Sequence, residues 1–369
     1  MMKLTVTRKE FHDGLQIVSR IVATHTTMPV LKNILIEPGA DSVKLAATDF
    51  DLSIEVLVPA TVHEGGPITV PARTLSEIVA ELPAADISLS ADEQSNLLIA
   101  CRRSEYRIHG LSAEDFPAPA VGGRVSFVIA QPLFKEMIRQ THFAASANDT
   151  RPILTGVSMV LEEEGSLRLA ATDTNRLAVR TEKVTESTGR CTVIVPVRAL
   201  KELMRVLGDG EKSTVSVRVD RNRVLFRTDT ATLISRLIEG QSPDYQRVVP
   251  TSHTHRLTIG REELQSALRR ARIVARNAQE RNRVVLAAYG KILAVTAQGD
   301  FGDAREEMEI VREGGEIEAA YDIHYLLDGV GALVSEELVL DLTEPLKQAV
   351  IRPTDGSDCL MVIMPMQVQ

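Results

Sequence analysis

Two stretches decide how this chain is built: MPVLKNILI (28–36) followed by SVKLAATD (42–49), and RPILTGVSM (151–159) followed by SLRLAATD (166–173). The second pair repeats the first, and the two LAATD runs start 124 positions apart, at Leu45 and Leu169. A fainter third copy, RVVLAAYGKILAVTAQGD (283–300), lies a further 124 positions on when Thr172 is matched to Thr296. Three units of 123 residues account for all 369 positions. A period of that size in a chain of that length predicts an array of three like domains, each near the commonest domain size and able to bury its own core. Function is then expected in how the units are arranged rather than in one catalytic pocket.

Each third carries two apolar stripes at helical spacing. The second is the cleaner: Leu75, Ile78, Val79 and Leu82; Leu200, Leu203, Met204 and Leu207; Ile323, Leu326, Leu327 and Val330. In the first two copies it is entered through Val70-Pro71 and Val195-Pro196, and proline suits a strand that gives way to a helix start. The third copy reads Glu318-Ala319-Ala320 there and has diverged most. The first stripe runs Phe11, Leu15, Val18, Val22; Phe134, Ile138, Thr141, Ala145; Leu264, Leu268, Ala271, Ala275. Alternating strand patterns precede it (Leu4, Val6; Phe127, Ile129; Leu257, Ile259) and follow the second helix (Ile87, Leu89; Val215, Val217, Val219; Leu338, Leu340, Leu342). The expected class is α+β, three repeated domains each with two helices packed on antiparallel sheets. The Pro-, Gly- and Ser-bearing runs at 117–124 and 248–255 read as linkers, which puts the domains at 1–122, 123–252 and 253–369.

Composition narrows the function. Apolar residues make up 44% and charged residues 25%, no apolar run is long enough to span a membrane, and the start lacks the pattern of a secretory signal. A soluble cytoplasmic protein is expected. Cys101, Cys191 and Cys359 are odd in number and far apart, as reduced core thiols are and as disulfide frameworks or metal sites are not. The net charge is -8, yet the six helical segments together carry +4 and the remainder -12. If the helices share one side of the array, that side is cationic. Arg198, Lys201, Arg205, Arg269, Arg270, Arg272 and Arg276 are the expected phosphate contacts, joined by Arg139 on the first helix of the middle repeat; the competing reading is a solvated helix face with i,i+4 pairs.

Motifs for chemistry are mostly absent: no phosphate-binding glycine loop, nucleophile elbow or zinc-ligand helix is present, and no metal site, cofactor or catalytic group is expected. His253 and His255 sit in a predicted linker, where exposed loop residues are the expectation. The repeated Asp49 and Asp173 invite an alternative, an enzyme of duplicated domains with a carboxylate-based, metal-dependent activity. A turn or capping role after a strand fits their duplication better. An open repeat scaffold for peptides is a third, milder possibility.

Together the threefold plan, the LAATD strand ends, the Val-Pro helix entries, SPDYQRVVP (242–250) and the terminal VIMPMQVQ (362–369) resemble the bacterial DNA polymerase III beta subunits, the sliding clamps, over the whole chain. The resemblance implies a head-to-tail homodimer closing into a ring, with helices lining a hole through which duplex DNA passes without sequence preference. DNA polymerase and clamp-loader subunits would insert short peptides into an apolar cleft. The matching cleft positions are Leu154, Thr172, Arg176, Leu177, Pro243, Arg247, Val248, Val362, Met364, Pro365 and Met366. From the residues alone, Leu177, Val248 and Val362 read as ordinary core. Thr174-Asn175 stands where the family often has glycine and histidine, and Gln367-Val368-Gln369 alters the usual ending. The dimer contact would join Ile273 and Val274 of one subunit to Tyr106 and Ile108 of the other, and His25 replaces an arginine that some relatives carry near DNA.

Overall fold

Among the described residues six α-helices punctuate the chain, two to each sequence repeat: α1 (Arg8–Val18), α2 (Ala72–Glu81), α3 (Gln131–Arg139), α4 (Val197–Val206), α5 (Arg261–Val274) and α6 (Ile323–Ala332). The computed structural model describes residues 1–23, 25–117, 122–123, 125–275, 282–300 and 302–367. Helix starts follow local chemistry. The Thr7 hydroxyl accepts from the Glu10 amide at α1. Pro71 and Pro196 end the strands that lead into α2 and α4. The third repeat, without that proline, enters α6 through Asp322, whose carboxylate accepts from the His324 amide at 2.8 Å.

Of the predicted stripes, Phe11, Leu15 and Val18 of α1, Leu75 and Val79 of α2, and Ile323, Leu326 and Val330 of α6 are buried, whereas Ile78 and Leu327 are only half-buried. Full burial of such a side chain contributes about 1.5–3 kcal/mol. At Gly14 the helix comes so close to the sheet that a Cβ would lie 2.6 Å from Val58 Cγ2. The first stripes reach further than the helices do. Val22 lies beyond α1, and Thr141 and Ala145 lie beyond α3. The Thr141 hydroxyl bonds back to the Met137 carbonyl at 2.8 Å, and the chain tightens into a 3₁₀ turn, His142–Ala144.

All strand pairing is antiparallel, and the chain divides into two compact units. The first holds residues 1–132, 185–189 and 201–237. Its five-stranded sheet runs Thr61–Glu64, Met2–Thr7, Asp86–Ala91, Asn96–Cys101, Ser104–His109, the last being an edge. Its nine-stranded sheet begins with middle-repeat strands (Glu186–Thr188, Val125–Ala130, Thr214–Val219, Arg223–Arg227, Ala231–Arg236) and continues into first-repeat strands (Leu52–Pro59, Ser42–Thr48, Asn33–Pro38, Ile68–Pro71). The two repeats join where Ala231 faces Val56 and Ser235 faces Leu52.

The second unit, residues 133–184, 190–200 and 238–369, is built likewise. Its nine-stranded sheet runs Cys191–Pro196, Gly156–Leu161, Ser166–Thr172, Arg176–Lys183, then Cys359–Ile363, Ala349–Pro353, Glu337–Leu342, His255–Gly260, Val311–Glu313. The join places Leu177 opposite Val362 and Arg180 opposite Cys359. A four-stranded sheet (Gly302–Glu309, Ile292–Gly299, Arg283–Tyr289, Ile317–Asp322) completes it. The middle repeat is thus divided, one set of its strands in each continuous sheet. His255 opens a strand rather than lying in a linker, while His253 precedes it in the connection. The other predicted linker, 117–124, lies largely outside the described residues.

Candidate functional site

The duplicated aspartates close the same turn twice. In the first copy the Asp49 Oδ1 accepts from the amides of Asp51 (3.1 Å) and Leu52 (2.9 Å), and the Thr48 hydroxyl accepts from the Phe50 amide (3.1 Å). In the second the Asp173 Oδ1 accepts from Asn175 (2.9 Å) and Arg176 (3.0 Å), and the Thr172 hydroxyl accepts from Thr174 (3.2 Å). Both turns force the residue after the aspartate to positive φ, 77° at Phe50 and 81° at Thr174. These carboxylates organise backbone, as Asx turns do. Among the described residues no group of three or more His, Cys, Asp or Glu side chains could hold a metal ion.

The second turn opens onto a cavity of about 430 Å³ in the second unit. Strand pairing explains the site: the middle-repeat strand Arg176–Lys183 runs against Cys359–Ile363 near the chain's end, so Leu177 and Val362 meet in one cluster with Ala170, Val179 and Val350. Of the predicted cleft residues, Leu154, Thr172, Arg176, Leu177, Pro243, Val248, Val362 and Met364 line this cavity. Leu177 and Val362 are its floor, each 2% exposed, while Val248 (44%) and Met364 (42%) stand at its rim. Three predicted residues are not in the lining. Arg247 is exposed and pairs with Asp244 at 2.9 Å. Pro365 is half-buried just past the rim, and the Met366 amide donates to the Ala320 carbonyl at 2.7 Å.

The lining also includes Arg151, Ile153, Thr174, Asp244 and Tyr245. Tyr245 lies within the quoted PDY run, and Arg151 and Ile153 lie in the repeated RPIL run, so position in a motif was the available signal. Arg176 is fixed from several sides. Its Nε donates to Asp173 at 3.0 Å, its Nη1 donates to Asp328 at 2.6 Å, and its guanidinium lies 5.5 Å from the Phe143 ring. An apolar floor with an adaptable methionine and one held cation suits an extended peptide with apolar anchors.

The predicted DNA contacts fall on two helices and a third. On α4, Arg198, Lys201 and Arg205 are exposed at i, i+3, i+7 spacing, and Arg205 pairs with Glu202 at 2.7 Å. On α5, Arg269 and Arg270 are exposed; Arg270 makes a two-pronged bond to Glu306 at 2.8 and 2.6 Å, which holds the Glu306 carboxyl below its ordinary range. Arg272 is half-buried, and its Nε makes no hydrogen bond among the described residues. Arg139 is half-buried at the end of α3, Arg276 lies outside the described residues, and His25 is exposed. Of the predicted dimer residues, Tyr106 is 40% and Ile273 68% exposed, Val274 is half-buried, and Ile108 faces its own sheet's core at 5%.

Comparison with known proteins agrees with this architecture. Residues 2–120, 128–244 and 246–367 match, in order, the N-terminal, central and C-terminal domains of the DNA polymerase III beta subunit. The chain is 30% identical to the beta sliding clamp of Staphylococcus aureus, covering all of both chains. Among solved structures it superposes on the DNA polymerase sliding clamp of Bacillus subtilis (TM-score 0.93, 29% identity) over the full length of both. The Pseudomonas aeruginosa sliding clamp, solved bound to griselimycin, is as similar (TM-score 0.92, 31% identity), again over both whole chains. The chain belongs to the DNA polymerase III beta subunit family, the sliding clamps, with three repeated α+β domains.

Proposed function

We propose that two copies of the chain close head to tail into a ring that encircles duplex DNA without sequence preference, and that it tethers the replicative polymerase, clamp-loader subunits and other partners by short peptides. The cleft at the join of the middle and last repeats carries this reading, because its buried floor of Leu177 and Val362 lies under an exposed Met364, the form a reusable peptide socket takes. The pieces 1–122, 123–252 and 253–369 act as the three domains of each copy.

Ring closure draws support from an open sheet edge. Among the described residues the strand Ser104–His109 is a sheet edge with Tyr106 exposed on it, and Ile273 is exposed at the end of α5; exposed edges are templates for pairing. The exposed cations of α4 and α5 are the DNA-facing groups. Contacts to phosphate alone let the ring slide. The chain performs no chemistry of its own, in keeping with the backbone role of Asp49 and Asp173, and it works in the cytoplasm at the replicating DNA. No helix among the described residues is long and apolar enough to cross a membrane.

Retention on circular DNA tests the reading. Protein loaded on a nicked circle is expected to stay through a salt wash and to leave once the circle is cut. Equal loss from circular and linear DNA overturns the ring.

A further inference from the structure

A second, wholly different cavity lies among the third repeat's strands. It encloses about 250 Å³ and is polar, lined by Ser252, His253, Arg256, Asp341, Thr343 and Arg352 among others. None of these residues lines the peptide cleft. The sheet assembles the group: Arg256 sits directly opposite Asp341 on the neighbouring strand, and Arg352 lies one strand further, opposite Val339, on the same face as Asp341.

The bonding is lopsided. Arg256 donates from Nε and Nη2 to both carboxylate oxygens of Asp341, at 2.7 and 2.9 Å, which satisfies that nearly buried anion. Arg352 nevertheless points its Nε to within 3.9 Å of the same carboxylate, too far for a hydrogen bond, and makes none among the described residues. His253 Nδ1 stops at 3.8 Å on the other oxygen. One carboxylate therefore gathers three cationic or ionisable groups of which it needs one. Two further carboxylates lie on these strands: Glu313 is exposed and sits opposite Arg256, and Glu337 is exposed at the far end of the Asp341 strand, opposite Gly260. Like charges held together beside a cavity cost free energy unless an anion joins them. Arg256 and Arg352 bring two guanidinium charges to the one carboxylate of Asp341, and the His253 ring stands beside them. The guanidinium fork of Arg352 and the hydroxyls of Ser252 and Thr343 are the donors a tetrahedral oxyanion takes.

We propose that this pocket is a binding site for a small phosphate-bearing anion, held by Arg352 and His253 and braced by the Arg256–Asp341 pair. The test titrates inorganic phosphate into the full-length protein at constant ionic strength, reading backbone amide NMR shifts. Saturable shifts confined to Ser252, His253, Thr343 and their neighbours are expected, with chloride producing none. Arg352→Gln is expected to weaken binding at least about tenfold, and Arg352→Lys to recover part of it. Arg352 donates no side-chain hydrogen bond among the described residues and is 38% exposed, so both variants are expected to keep the native spectrum elsewhere. A parallel titration with glycerol phosphate separates the sources: tighter binding than phosphate identifies an ester ligand, weaker binding the free ion. The absence of saturable shifts, or affinity unchanged by Arg352→Gln, overturns the site.

Discussion

The guanidinium carbon of Arg176 lies 4.5 Å from the centroid of the Tyr325 ring. That contact brings a middle-repeat strand and helix α6 of the last repeat to one point beside the cleft, and it adds to the pairs Arg176 makes with Asp173 and Asp328. Cation–π and forked ion-pair geometry both depend on the flat guanidinium, which lysine lacks. Arg176→Lys is therefore expected to weaken a fluorescent partner peptide about tenfold. Arg176→Ala, which takes the guanidinium from the nearly buried Asp173 and leaves it only its backbone amides, is expected to cost in addition about 2 kcal/mol in urea unfolding.

Two neighbours in the last strand separate binding from folding. Val362 is 2% exposed and Met364 42%. Val362→Ala is expected to destabilise the protein by about 2 kcal/mol through the cavity it leaves. Met364→Ala is expected to change stability by less than about 0.5 kcal/mol yet lose most peptide affinity. Peptide titration and urea unfolding on the same two variants read the split; equal effects on both would refute it.

Ile273 is the large apolar residue of α5 that the chain's own core leaves out. Ile273→Asp is expected to shift the protein in sedimentation from a dimer to a single chain of 40.4 kDa, with its circular dichroism unchanged. A dimer that persists would move the interface elsewhere.

Thr174 carries a β-branched side chain at φ 81° in the turn at the cleft rim. Such a residue in the left-handed region costs about 1–3 kcal/mol, part of which glycine forfeits again as chain entropy. Thr174→Gly is expected to stabilise the fold by about 1 kcal/mol, a rise of roughly 2–4 °C in melting temperature.

Burial raises the Cys359 thiol from its ordinary 9.0 to about 12 and also raises the Tyr321 hydroxyl. In the fold both keep their protons at pH values where the unfolded chain has begun to release them. The unfolded state then binds fewer protons, so stability is complete below about pH 9 and falls as pH climbs toward 12. Each group contributes a slope of about 1.4 kcal/mol per pH unit. Urea midpoints between pH 8 and 11 are expected to decline less steeply in Cys359→Ala.

The helices were legible because their signal is local. The stripe through Leu75 and Val79 needs only a periodicity, and it places α2 whatever the strands do. Thr141 was misread as helix because its hydroxyl competes for the carbonyls that the pattern assigns to the ladder. Strand partners were not legible: the alternation of Val215, Val217 and Val219 is the same beside any neighbour, so the joins at Ala231–Val56 and Leu177–Val362 left no trace. The cleft was visible only through resemblance, since its wall combines residues from Arg151 to Met364. Tyr325, from another segment again, carried no signal. The polar pocket around Asp341 was equally silent, because sheet register alone brings Arg256 and Arg352 to it.

The division of the middle repeat between two continuous sheets separates what was duplicated from what folds. Evolution copied a stretch of about one third of the chain, but that stretch cut out as a fragment would leave a bare ladder at each end, at Ala231–Arg236 and at Arg176–Lys183. A shortened chain lacking it would have to knit the outer repeats through surfaces that never met. Threefold ancestry thus survives in the sequence and in the repeated domains, while the sheets run unbroken across the borders between repeats.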